Sequence, residues 1–242
     1  MALADGPDID IDNIGLARGE GALFSGLSLQ LRERRIGLIG NNGSGKSSLL
    51  RLINGLLLPD TGTIRVCGLD TRRDRAALPG VAGFLFQNPD HQIVYPVVAE
   101  EIAFGLRESG HSANAARDSV LQILAAHGHQ DWADRPIHEL SDGQKQLVCI
   151  LAVTITQPRF LLLDEPFSSL DLPTRWDMMR RLDALPQSII MASHDFDLLT
   201  QFDRIIWLDK GVVRADGAAA ATIAAYRAAC RPAEPRLMQS AQ

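Results

Sequence analysis

Eight consecutive residues, Gly40-Asn41-Asn42-Gly43-Ser44-Gly45-Lys46-Ser47, fit the pattern G-x-x-x-x-G-K-[ST]. The flanks are those the pattern requires: the apolar run Ile36-Gly37-Leu38-Ile39 precedes it and the helical stretch Ser48-Leu49-Leu50-Arg51-Leu52-Ile53 follows. The glycines let consecutive backbone N–H groups turn inward on phosphates, and the helix behind them presents its positive dipole end. Lys46 can reach the β and γ phosphates of a nucleoside triphosphate, and the Ser47 hydroxyl can hold Mg²⁺. Asn41, Asn42, Gly43, Ser44, Gly45, Lys46, Ser47 and Ser48 are therefore the expected nucleotide contacts.

Phosphate loops serve many ends, so the rest of the chemistry must be found elsewhere in the chain. Pro158-Arg159-Phe160-Leu161-Leu162-Leu163-Asp164-Glu165-Pro166 reads as a short buried strand ending in two acids. That order puts one carboxylate in the shell of a Mg²⁺ ion and the next beside an attacking water. Asp164 is the expected metal residue, acting through a water, and Glu165 the expected general base. Taken alone, a strand-end acid pair is equally compatible with simple solvation. Leu140-Ser141-Asp142-Gly143-Gln144 opens a helix whose start offers a hydroxyl, free N–H groups and a positive dipole end. Gln87 follows the apolar Phe84-Leu85-Phe86, Ser168-Ser169-Leu170-Asp171 follows the acids, and His194 closes the strand Ile189-Ile190-Met191-Ala192-Ser193.

In this order the six motifs resemble those of ATP-binding-cassette (ABC) ATPases, whose signature is usually LSGGQ and here reads LSDGQ. The likeness covers nearly the whole chain. It implies an α/β fold, a P-loop NTPase of the ABC nucleotide-binding-domain kind, with an N-terminal antiparallel β layer and a helical subdomain. It implies ATP and Mg²⁺ as ligands, and a head-to-tail pairing of two cassettes, here a homodimer. Each ATP would lie between the phosphate loop of one copy and Ser141, Gly143, Gln144 and Asp171 of the other. Ser47, Gln87 and Asp164 would serve the metal, while Glu165, His194 and Gln87 form the catalytic set, with His194 on the γ-phosphate. The aromatic that usually stacks on adenine is replaced: Ile14-Gly15-Leu16-Ala17-Arg18 aligns there, so either Arg18 lies over the purine or it is a loop arginine without nucleotide contact. Asp142 in place of glycine and Leu147 in place of a common basic residue also depart from the pattern, and either could slow turnover.

The likeness also divides the chain. Residues 1–87 and 159–230 would form the catalytic core with its β subdomain, 88–158 the helical subdomain, and 231–242 a disordered tail. Within the first part, Asp8-Ile9-Asp10-Ile11-Asp12 alternates like an edge strand, and Gly26–Leu31 and Thr63–Gly68 read as further strands. Arg204–Arg214 reads as a hairpin. The chain has 242 residues and no internal repeat, so a second cassette would have to come from another chain.

A balance of 24 basic against 29 acidic residues gives no reason to expect nucleic acid as a partner. The clusters Arg32-Arg34-Arg35 and Arg72-Arg73-Arg75 read as solvated faces because acids interleave them. Cys67, Cys149 and Cys230 show no metal or disulfide spacing and read as buried small hydrophobes, while Trp132, Trp176 and Trp207 read as packing residues. The start, Met1 to Asp8, is acidic and lacks the character of a secretion signal, and no stretch approaches the about 20 apolar residues a membrane span needs. A membrane role would be peripheral, at the cytoplasmic face of the inner (plasma) membrane.

The segment Phe86-Gln87-Asn88-Pro89-Asp90-His91-Gln92-Ile93-Val94, followed by Val98–Gly105, is similar to that of energy-coupling-factor (ECF) transporter ATPases. There it lines a groove that receives a transmembrane coupling subunit, which works with a membrane subunit that captures the cargo. The chain as a whole most resembles ATPases of biotin uptake, with cobalt or nickel uptake next. The ATPase of another ABC importer and a soluble, non-transport ABC ATPase remain the alternatives.

Overall fold

The computed structural model describes residues 8–19 and 21–231; the chain start and the tail beyond Arg231 read from the sequence lie outside the described residues. In chain order the elements are β1 (Ile9–Arg18), β2 (Gly21–Leu31), β3 (Arg35–Ile39), α1 (Lys46–Asn54), β4 (Thr61–Val66), β5 (Leu69–Asp70) and β6 (Ala82–Leu85). There follow α2 (Val98–Glu108), α3 (Ala113–Ala126), α4 (Asp142–Thr154), β7 (Phe160–Asp164), α5 (Leu172–Asp183) and β8 (Ser188–Ala192). The chain continues through α6 (Phe196–Leu199), β9 (Arg204–Asp209), β10 (Val212–Gly217) and α7 (Ala219–Ala229).

Two sheets result. One is antiparallel, ordered β2-β1-β4-β5; the other is six-stranded, ordered β10-β9-β3-β8-β7-β6 and parallel except for β10. The parallel strands are apolar runs because both their faces are covered. Alternate residues serve opposite faces: Leu161, Leu163, Ile189 and Met191 join the core under the helices, while Phe160, Leu162, Ile190 and Ala192 join the core shared with α1 and the antiparallel sheet. Helix α1 buries Leu49, Leu50, Leu52 and Ile53 in this second core and stops at Gly55, whose φ of 77° only glycine adopts freely.

Between β6 and β7 the chain leaves the sheet as α2, α3 and α4, packed around Ile102, Val120, Leu124, Trp132 and Val148. These three helices form the helical part of the fold. The strand expected at the edge is not one: β1 lies between β2 and β4 and extends to Arg18. A bulge at Asp12-Asn13, with Asn13 at φ 48°, resets the alternation so that Ile14 and Leu16 again face inward after Ile9 and Ile11. The reset hides the strand's full length from a period-two reading.

Three other expectations change. Arg35 is not solvated; it is buried and donates to the carbonyls of Gln187 and Leu182 near the end of α5. Cys149 is buried as expected, with its thiol pushed up to about 12 by burial, but Cys67 is half-buried and Cys230 is exposed at the end of α7. Trp132 and Trp207 pack as expected, whereas Trp176 on α5 is 41% exposed.

The β9–β10 hairpin turns at Lys210-Gly211, with φ of 50° and 76°, the two-residue geometry suited to strand twist. The Gly211 N–H donates to the Ser44 carbonyl at 3.0 Å, and a Cβ on Gly211 would strike the Leu23 carbonyl. Gly211→Ala should therefore cost at least ~2 kcal/mol and lower Tm by roughly 4–8 °C in calorimetry. An unchanged Tm would show that the turn yields.

Candidate nucleotide site

The parallel ladder sets the carboxyl ends of four neighbouring strands side by side. Ala192 at the end of β8 is in register with Leu38 of β3 and with Asp164 of β7, and Leu85 of β6 pairs with Leu163. The phosphate loop leaves β3, the acid pair ends β7, His194 follows β8 and Gln87 follows β6. Ligands in open α/β sheets bind at this edge.

The loop itself is held from below. Gly40 has φ 144° and passes so close to Leu208 that a Cβ would strike that residue's carbonyl. Gly45 has φ 111°, with the Phe24 ring 2.8 Å from where a Cβ would stand. Lys46 Nζ donates to the Gly40 and Asn41 carbonyls at 2.8 and 3.3 Å and lies 3.3 Å from His194 Nε2. Its pKa is lowered by burial, which the Glu165 and Asp164 carboxylates oppose.

The Ser47 hydroxyl donates to Asp164 Oδ1 at 2.7 Å. Glu165 adopts φ 50°, a left-handed backbone that is rare for a side-chain-bearing residue, and its N–H is held by the Ala192 carbonyl. Its Oε2 accepts the His194 N–H at 3.2 Å. Its Oε1 is buried without a hydrogen-bond partner, although His194 Nε2 stands 3.2 Å away at an angle unsuited to a bond. Burial raises the Glu165 pKa, partly countered by the His194 N–H and the Lys46 charge. Burial and then the Lys46 charge lower that of His194, whose Nε2 also approaches Asn42 Oδ1 at 3.1 Å. Gln87 Nε2 donates to Ser168 Oγ at 3.3 Å.

These groups border a cleft of about 830 Å³. It takes in Asn42, Gly43, Ser44, Gly45, Lys46, Ser47, Ser48, Gln87, Glu165 and His194, and Arg18 at its rim. Asp164 stands just behind, buried, with Arg51 3.7 Å from its other oxygen. Asn41 is the one expected loop contact that does not border the cleft: its side chain bonds to Tyr226 of α7 instead. Ser44 Oγ, like Glu165 Oε1, is a buried polar atom with no partner. A phosphate-bearing ligand with its cation and waters meets both needs.

Ser141, Gly143, Gln144 and Asp171 lie elsewhere, around a second cleft of about 470 Å³ that shares no residue with the first. Ser141 and Gln144 form a reciprocal cap at the start of α4, and Asp171 caps α5 by accepting the Thr174 N–H. Asp142 is exposed in the first turn of α4, where the helix dipole favours an acid, and Leu147 is 2% exposed in the lobe core.

Other residues of the site gave no signal in the sequence. Arg175 of α5 donates to Asp195 at 3.2 Å and to the Leu170 carbonyl, tying the segment that leads into Asp171 to the loop after His194. Lys145 of α4 pairs with Asp90 at 2.8 Å, so Asp90 is not a free charge beside Gln87.

A glycine-rich phosphate loop, a buried lysine and an acid pair at the ends of parallel strands define a P-loop nucleoside triphosphatase. The sequence matches the ABC transporter family over residues 24–168. It is 48% identical to the biotin transport ATP-binding protein of Rhodobacter capsulatus, over 91% of this chain and 94% of that one. It is 37% identical to an energy-coupling factor transporter ATP-binding protein of Ligilactobacillus salivarius, over 90% and 80%. Among solved structures, cbiO1 of Clostridium perfringens, part of the ABC transporter complex cbiONQ, superposes with a TM-score of 0.80 at 27% identity, covering 93% of each chain. The chain belongs to the ABC transporter family as an ATP-binding, ATP-hydrolysing cassette.

The Lys46 charge lowers both neighbours' pKa values, stabilising the Glu165 anion and opposing the His194 cation. Removing it in Lys46→Met should move both titrations to higher pH, read by NMR. A His194 titration that stays in place would remove Lys46 from its surroundings.

Proposed function

We propose that this cassette powers an ECF-type importer, with biotin as its cargo, and acts as a head-to-tail pair at the cytoplasmic face of the membrane. The cargo reading rests on the likeness to the Rhodobacter biotin protein. No helix of the described residues is long and apolar enough to cross a membrane, so the transported molecule would cross through partner subunits. The separation of Ser141 and Asp171 from the phosphate-loop cleft supports the pairing, because one chain supplies each half of a site but not both halves together.

In the hydrolytic step the loop N–H groups and Lys46 bind the triphosphate. Glu165, with its open Oε1, takes the proton of the attacking water, and His194 orients the γ-phosphate. Mg²⁺, when bound, neutralises phosphate charge, and the Ser47 hydroxyl, Gln87 and, through water, Asp164 are the residues that would hold it. Arg18, at the rim of the cleft, supplies a planar cation over the adenine. Glu165→Gln should keep ATP affinity and lose at least about 100-fold in kcat, whereas Arg18→Ala should weaken ATP binding about fivefold and Arg18→Tyr restore it. Near-normal turnover in Glu165→Gln removes the base assignment, and unchanged affinity in Arg18→Ala removes the stacking.

The observation that carries the transport reading is the surface beside Gln87. Val94 is 69% exposed and Phe104, paired with Tyr95 at 5.6 Å, is 38% exposed. Buried Glu101 holds this ridge by accepting the N–H groups of Val94 and Tyr95, both at 2.8 Å. Apolar side chains fixed on an exposed ridge suit a helix of a membrane partner. When the chain is co-expressed with the membrane subunits of a biotin importer, Val94→Glu should cut the recovered complex about tenfold, at unchanged ATP affinity. Normal recovery and biotin uptake would place the docking surface elsewhere.

A further inference from the structure

Asn41 sits in the phosphate loop, yet its side chain is engaged from 185 positions away. Tyr226 Oη donates to Asn41 Oδ1 at 2.9 Å. The Tyr226 ring is 7% exposed and fixed on two sides: Trp207 of β9 meets it edge-on at 5.3 Å, and Phe196 of α6 tilts against it at 5.4 Å. Phe196 follows His194 by two residues and borders the nucleotide cleft. Burial pushes the phenol up to about 12, so Oη keeps its proton as a donor.

Asn41 is in turn a centre of the loop's own order. Its carbonyl accepts the Ser44 N–H at 3.1 Å and Lys46 Nζ at 3.3 Å, and the neighbouring Asn42 reaches His194. We propose that Tyr226 is a positioning residue for nucleotide binding: from α7 it pins Asn41 and so sets the shape of the phosphate loop before nucleotide arrives. A loop already shaped for phosphate loses less conformational freedom on binding, and that gain appears in affinity. Through Phe196 the same ring also bears on the segment that follows His194, so α7 touches both the phosphate loop and the loop after β8. The inference rests on reading residues 40–47 as the phosphate site.

Tyr226→Phe keeps the ring and removes only the donor. Titration of the isolated chain with a fluorescent ATP analogue should show Kd raised about fivefold, with kcat at saturation within about twofold of wild type. Asn41→Ala should behave alike, and the double variant should be no weaker than the worse single one. Ile223→Val, buried one turn earlier on α7, should lower Tm by about 2–4 °C and leave Kd unchanged, which separates positioning from mere stability. Unchanged Kd in Tyr226→Phe, or additive effects in the double variant, overturns the proposal. Should Tyr226→Phe fail to fold, Asn41→Ala decides alone, an unchanged Kd counting against the brace. Lys46→Ala separates the two levels: normal nucleotide binding there refutes the phosphate site, while lost binding there beside normal binding in Tyr226→Phe refutes only the role of Tyr226.

Discussion

The parallel register of β6, β7, β8 and β3 is the constraint from which the site follows. Hydrogen bonds of a parallel ladder fix where each strand ends relative to its neighbours, and here Leu38, Ala192 and Asp164 end level. A slip of one residue in β7 would turn Asp164 away from Ser47 and exchange Leu161 and Leu163 with Phe160 and Leu162 between two different cores. The cores therefore guard the chemistry. Neither face of the sheet can accept the wrong set of side chains without exposing or crowding a packed layer.

Within that frame the phosphate loop is held in a shape it would not adopt alone. Gly40 and Gly45 have backbones closed to other residues, Lys46 is buried against carbonyls, and Gly211 of the β9–β10 turn anchors Ser44. A buried ammonium costs free energy unless its protons are taken up, and the loop carbonyls together with Glu165 and Asp164 supply the compensation. The same field raises or lowers each neighbouring pKa, so Lys46, Glu165 and His194 are best regarded as one electrostatic unit. Glu165 joins it only because its left-handed backbone turns the chain out of β7 toward the cleft.

Much of this was legible in the sequence because it is local. The phosphate loop announces itself by glycine spacing, the buried strands by apolar runs, and the acid pair and His194 by their place at strand ends. What escaped is what depends on distance or on a broken period. The bulge at Asn13 conceals the length of β1, and Arg35 reads as part of a basic surface although it is buried against the Leu182 carbonyl of α5 and the Gln187 carbonyl just before β8. The links Asp90 to Lys145 and Asn41 to Tyr226 join residues that no motif relates. Cys230 and Trp176 were misread for a simpler reason, since residue type predicts burial only on average and helix ends and outer faces are where the average fails.

The three tryptophans are distributed in a way that makes the molecule optically informative. Trp132 is sealed in the helical lobe, stacked on His129; Trp176 faces solvent on α5; and Trp207 is half-buried against the ring that reaches the phosphate loop. Their emission should differ in wavelength and in access to a soluble quencher, with Trp176 the first to be quenched. Each region thus carries its own fluorophore, and intrinsic fluorescence resolved by quenching can follow lobe, outer helix and loop separately without any label.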